Sequence, residues 1–178
     1  MNIIQSKEDI QQAIESNFFE LIEWVKSQPD EYFERQVEGK WSAGQQLDHL
    51  VRSTRPVSMA LRLPKFIIRI VAGKPNRPSK SFDGVIQKYK DSLANGAKAS
   101  GPYIPPVVKL NKKTNLLDLF HYQGKKLAKG LNHWTEAQLD NYLLPHPLIG
   151  KITIREMLFF TVYHTEHHLN SMKEWLPH

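Results

Sequence analysis

Apolar residues in this chain recur at steps of three and four, and that regularity restricts the fold more than any other feature. Between about residues 6 and 28, Ile10, Ile14, Phe18, Leu21, Ile22 and Val25 fall on one face of a helix that ends near SQPDE. A second helix opens at WSAGQ, where Ser42 is placed to cap the free amides and Gln45, three residues on, to reach back. Leu47, Leu50, Val51, Thr54 and Ser58 then share a face. Pro56, inside this pattern, removes the bond to the carbonyl of Arg52, so a kink or break is expected there. A third helix, with Asn115 as its cap, carries Leu116, Leu117, Phe120, Leu127, Ala128 and Leu131 and ends near residue 131; a short turn around TEAQLDNY follows. The last helix opens with the capping box TIRE, formed by Thr153 and Glu156, and runs to about Trp175. No strand-like alternation of convincing length accompanies these helices. The chain therefore reads as all-α: one domain over residues 1–178, built as a four-helix bundle.

Residues 63–113 break the regularity. They are proline-rich, with a Gly-Lys-Pro turn and one short helix in FDGVIQKYKDSLA. A connection this long inside a compact domain suits a long irregular crossover between helices two and three, joining two helices that are not antiparallel neighbours. Much of the formal net charge of +6 sits at its start, where Arg62, Lys65, Arg69, Lys74, Arg77 and Lys80 precede the next acidic residue, Asp83. The stripe reads as solvated surface, not as a nucleic-acid footprint, because the aromatic pattern of a single-strand reader and the motifs of duplex readers are absent. Folded over a site, these cations would steer an anionic thiol or acid toward it. In RLPKFIIRIVAGK, Phe66, Ile67, Ile68, Ile70 and Val71 run too continuously for a membrane-surface helix, so core burial is the expectation. The N-terminus lacks the pattern of a signal peptide, and no stretch approaches the roughly 18 apolar residues of a membrane span. The expected location is the cytoplasm, without membrane contact.

The chain has no cysteine, so a transition metal would have to be held by imidazole or carboxylate. Three of its eight histidines lie in YHTEHHLN. On a helical wheel Ile154, Met157, Leu158, Thr161, Thr165 and Met172 share a face, with His168 inside it and His164 on its margin. His164 and His168 have the i, i+4 spacing that stacks two imidazoles one turn apart, within reach of one metal ion. A zincin signature needs a glutamate directly after the first histidine; Thr165 occupies that position, and Glu166 points away, about 200° round the helix. Di-iron sites need Glu-x-x-His on each of two helices and are excluded as well. Two histidines alone are more often satisfied core residues than ligands. Candidates for a third are His49, His121, His133 and His146, with His178 less suited at the terminus. His49 is the best placed, because its face (Ser42, Gln45, Ser53, Ala60) is a row of small or polar residues able to line a cleft without filling it.

WSAGQQLDHL on the second helix and YHTEHHLN on the last, with the lead-in HPLIGKITIREML, resemble the DinB/YfiT-like superfamily over nearly the whole chain. The resemblance implies an up-down-down-up four-helix bundle in which three histidines bind a divalent metal at one end. Carried onto this sequence, the ligands are His49, His164 and His168. Where many members read HHRGQ, this chain reads HHLNS, from His167 to Ser171. Zinc, nickel or iron would suit three imidazoles with an open position, where the metal acidifies a bound water toward a pKa of about 7 or holds a thiol as thiolate. The resemblance implies a metal-dependent S-transferase-like enzyme that joins a low-molecular-weight thiol to a small-molecule substrate. Its alternatives are a metal-dependent hydrolase and a non-catalytic metal-binding or interaction bundle, for instance a homodimer. Glu166, His167, Tyr163 and Thr165 are the residues placed to orient a ligand imidazole or meet a substrate.

Overall fold

The computed structural model describes residues 4–174, so the expected helix end at Trp175 and His178 lie outside the described residues. Helix α1 (Lys7–Ser27) begins where the Asp9 amide donates to the Ser6 hydroxyl and the Asp9 carboxylate accepts the Ser6 amide. All six of its expected core residues are buried. One turn, α2 (Asp30–Glu34), leads through Gly39, whose φ of 71° suits only glycine, toward α3 (Ala43–Ala60). The Ser42–Gln45 capping box forms as the spacing predicts, which is worth about 1 kcal/mol to the helix start. Pro56 does not break α3, which continues for one more turn. The proline is exposed, so solvent can serve the Arg52 carbonyl that it leaves without a partner.

Helix α4 (Lys65–Ala72) and helix α5 (Phe82–Ala94) lie in the crossover, α5 matching FDGVIQKYKDSLA residue for residue. Helix α6 (Lys113–Leu131) starts two residues before the expected Asn115 cap and has no side-chain cap. A 3-10 turn over Leu110–Lys112 feeds directly into it, and Asn115 is an exposed residue of its first turn. TEAQLDNY forms a further short helix, α7 (Glu136–Asn141), with Thr135 and Gln138 as its capping box. A hairpin follows that the sequence reading did not include: β1 (Leu143–His146) pairs antiparallel with β2 (Gly150–Thr153). Its strands are four residues each, too short to show period-two alternation. The chain ends in α8 (Ile154–Glu174), which is buried round most of its circumference because the bundle covers one side and α5 with the hairpin covers the other.

Contacts along the long helices give their directions. Ser58 bonds Gln123 and Leu61 meets Gly130, so α3 and α6 run parallel. Arg155 reaches Gln5, Asn17 reaches Val162 and Lys173 reaches Glu20, so α1 and α8 run parallel too. Across the pairs the direction reverses: Lys7 reaches the carbonyl of Trp134 after α6, while Lys113 at the start of α6 meets Gln28. The result is an up-down-down-up bundle. At the α1–α6 seam Phe18 and Phe120 stack at 4.2 Å, and Phe18 also lies over Gly124, where a Cβ would come within 2.6 Å of its ring.

Two parallel helices need a connection that returns the length of the bundle, which explains the crossover. Its middle is fastened to α8 by Glu156. This carboxylate is fully buried and accepts from Arg77 at 2.6 and 3.0 Å, from the Lys80 amide at 2.7 Å and from the Thr153 amide at 2.8 Å. The TIRE capping box is therefore also the anchor of the strap. Core burial of α4 fails as an expectation: Ile68 and Ala72 are buried, facing β1, whereas Phe66, Ile70 and Val71 are 65%, 78% and 70% exposed. The helix lies on the outside of the bundle, so one i, i+4 pair is enough to seat it. No described helix is long and apolar enough to cross a membrane.

Candidate metal centre

His49 on α3 and His164 and His168 on α8 converge near one end of the bundle, all three buried. The antiparallel packing of α3 on α8 opposes His49 to His164 and Gln46 to His168. Ser53 and Ala60, which share the His49 face, line a cavity beside it instead of filling it. His121 and His133 are exposed and belong to no such cluster.

The three Nε2 atoms form a tight group. His164 Nε2 lies 3.2 Å from that of His49 and 3.1 Å from that of His168. The tautomers of the outer two follow from their other nitrogens. His49 Nδ1 lies 2.7 Å from the Tyr103 carbonyl and His168 Nδ1 lies 3.0 Å from Gln46 Oε1; both oxygens only accept, so both Nδ1 atoms carry the proton. Gln46 is itself held by donation of its amide nitrogen to the Trp41 carbonyl at 3.2 Å. The Nε2 atoms of His49 and His168 thus present lone pairs. His164 can place one proton between itself and one neighbour, which leaves the other contact lone pair against lone pair. A cation accepting from all three nitrogens removes that conflict, and the donor set fits a divalent transition metal.

Electrostatics favours the same state. Burial, reinforced by the neighbouring imidazoles, holds His164 and His168 well below the ordinary histidine value. Burial also lowers His49, against the Tyr103 carbonyl and Asp48, which raise it. All three are neutral at pH 7, as a ligand must be. Trp41 covers the group, 5.0 Å from His49 and stacked on His168 at 6.4 Å.

The partners that orient the imidazoles are Gln46 and the Tyr103 carbonyl, neither singled out by sequence. Gln46 had a signal, since it stands three residues before His49 at the start of the same helix. A backbone carbonyl in a loop has none. Of the four residues expected near the ligands, only His167 lines the cavity, edge-on to Tyr89 at 6.3 Å. Tyr163 is half-buried and stacks on His167 at 6.0 Å; Thr165 is buried and donates to the Thr161 carbonyl of its own helix. Glu166 is exposed on the far side of α8.

The cavity beside the nitrogens measures about 380 Å³ and opens to solvent. Val57, Leu93, Leu144, Leu148, Met157 and Phe160 are among the residues of its apolar wall. No lysine, arginine, aspartate or glutamate lines it among the described residues. Three cations of the basic stripe are engaged elsewhere: Lys65 donates to the His133 carbonyl and Gln138, Arg69 lies over the Tyr142 ring and Arg77 is bound to Glu156. None of the six cations of the stripe lines the cavity.

Comparison with known proteins agrees with this architecture. No curated protein is significantly similar in sequence. Among solved structures, the chain is similar to YfiT from Bacillus subtilis, described as "a probable metal-dependent hydrolase with an unusual four-helix bundle topology". The TM-score is 0.59 at 18% identity, covering 98% of this chain and 89% of that one. The sequence pattern of the DinB superfamily matches residues 13–172, which takes in all three histidines and the four long helices except the first two turns of α1 and the last two residues of α8. The chain belongs to the DinB superfamily.

Proposed function

We propose that this protein is a metal-dependent hydrolase of neutral, largely apolar small molecules, with His49, His164 and His168 as the metal ligands. The observation that carries this reading is the group of three Nε2 atoms, short of protons, at the wall of an uncharged cavity. A divalent cation held there supplies a Lewis acid and lowers the pKa of water bound to it. The chain's own residues do the rest: Gln46 and Tyr103 fix the tautomers, Trp41 shields the nitrogens, and the apolar wall keeps bulk water from the substrate. The description of YfiT as a hydrolase supports the reaction class. The S-transferase reading is weaker, because a low-molecular-weight thiol bearing carboxylates meets no cation in the cavity lining.

The test combines metal analysis with turnover. Protein prepared without an affinity tag, and its His49→Ala, His164→Ala and His168→Ala variants, are compared for bound zinc, nickel and iron. A panel of neutral aryl esters, amides and thioesters is then assayed with and without chelator. Near-stoichiometric metal in the wild type, its loss in each variant, and chelator-sensitive hydrolysis are expected. Full metal occupancy in the three variants overturns the site, and turnover indifferent to chelation overturns the chemistry.

A further inference from the structure

His146 stands at the end of β1, joined to the three-histidine group through Phe160. Its ring packs edge-on to Phe160 at 4.2 Å, and Phe160 in turn stacks on His164 at 4.7 Å. The residue is only 7% exposed, and it lines the cavity. One ring nitrogen is committed: Nδ1 accepts from the amides of Leu148 at 3.1 Å and Ile149 at 3.3 Å, within the turn of the hairpin. An atom that accepts two N–H groups carries no proton, so the proton of the neutral ring sits on Nε2. No buried side-chain nitrogen or oxygen lacks a partner among the described residues, and Nε2 of His146 has none among them, so it is not sealed off and this N–H opens onto the cavity that the ring lines.

We infer that the Nε2–H of His146 is a fixed hydrogen-bond donor to substrate, selecting molecules with an acceptor oxygen about one aromatic ring from the group that meets the three-histidine centre. The inference rests on the proposed hydrolase site for the identity of the reacting end. The donor is fixed because the hairpin turn sets the tautomer. Burial, with Lys88 nearby, lowers the ring to about 4, so it stays neutral across the physiological range. In a cavity walled mostly by hydrocarbon, one such donor discriminates strongly, because a substrate without an acceptor leaves the N–H unpaired. Ser53 and Thr161 also reach the lining, but their hydroxyl protons are committed to the carbonyls of Leu50 and Met157; Ser100, Tyr89 and Tyr103 carry hydroxyls that rotate, and His167 has no turn to set its tautomer.

The test uses metal-free protein. Imidazole nitrogen NMR of uniformly labelled protein reads the tautomer of His146, and titrations compare acetophenone with ethylbenzene, a near isostere without the oxygen. An Nε2-protonated ring whose Nε2 resonance moves with acetophenone and not with ethylbenzene is expected. His146→Asn keeps an acceptor for the Leu148 and Ile149 amides and removes the N–H from the Nε2 position, its own amide nitrogen lying nearer the backbone, where the ring carbon Cδ2 stood. It should weaken acetophenone about fivefold and leave ethylbenzene unchanged. An Nδ1-protonated ring, or equal affinity of His146→Asn and wild type for acetophenone, overturns the inference. Metal content of His146→Asn is measured in parallel. Failure of the wild type to hold metal counts against the hydrolase site alone, since the titrations need none.

Discussion

Arg77→Ala removes the cation from a carboxylate that has no access to water. Glu156 is fully buried, and the substitution deletes its bonds at 2.6 and 3.0 Å, leaving the Lys80 and Thr153 amides as its only donors. Breaking a buried pair by removing one partner costs about 3–5 kcal/mol; because the Arg77 side chain is 35% exposed and partly screened, the lower end applies, about 3 kcal/mol. In a chain of this length that lowers Tm by about 6–12 °C. The loss has a pH signature. Burial raises Glu156, but Arg77 and the two amides outweigh it, so its folded value lies below the ordinary 4.5. A depressed carboxyl stabilises the fold above its unfolded value, and that contribution disappears as pH falls through the folded one. The difference between wild type and Arg77→Ala is therefore largest at neutral pH and shrinks as the pH falls below 4.5. Thermal melts followed by circular dichroism at neutral and acid pH read both effects. Pairing Arg77→Ala with Glu156→Gln completes a double-mutant cycle, in which the second change should recover part of the loss. A Tm within about 2 °C of wild type, or an equal cost of Arg77→Ala in the Glu156→Gln background, would refute the claim that this pair fastens the strap.

Further outcomes follow from other parts of the molecule. Gly124→Ala gains helix propensity but forces a Cβ to within 2.6 Å of the Phe18 ring, so it should destabilise by about 1–2 kcal/mol in urea titrations; a stabilised variant would mean that the seam yields freely. Gln46→Leu removes the acceptor that orients His168 and should weaken metal binding about 10- to 100-fold in competition with a chromogenic chelator, with an unchanged affinity refuting that role. The metal-free fold should lose stability as pH drops below 6.5, because the unfolded histidines take up protons that buried His164 and His168 refuse. A His164→Leu variant should show a shallower fall in denaturation midpoint over that range, and an unchanged slope would contradict the assignment.

The long helices were legible because each keeps one apolar face over four or five turns, and the Ser42 and Thr153 boxes mark their starts. The pairing of His164 with His168 was legible too, since i, i+4 spacing is a local property. Other features depend on partners remote in sequence. Asn115 had the chemistry of a cap, yet α6 starts earlier because the preceding 3-10 turn already sets its backbone. The apolar run in α4 gives no sign that only Ile68 and Ala72 find neighbours. His146 stands in the sequence as one more candidate third ligand; that it instead ends β1, accepts from the turn amides and lines a cavity follows from contacts remote from it in sequence.

The parallel pairing of α3 with α6 also has a bearing on how the protein matures. His49 and His164 are 115 residues apart, and the carbonyl that orients His49 comes from the strap, so the nitrogens meet only after the crossover and the last helix have both docked. A partly folded chain offers at most the i, i+4 pair. A metal bound by all three nitrogens, as proposed, would report completed assembly and would stabilise that state over all earlier ones, by about 2.7 kcal/mol when free metal exceeds Kd a hundredfold. With a metal bound as proposed, the three histidines would latch the finished topology.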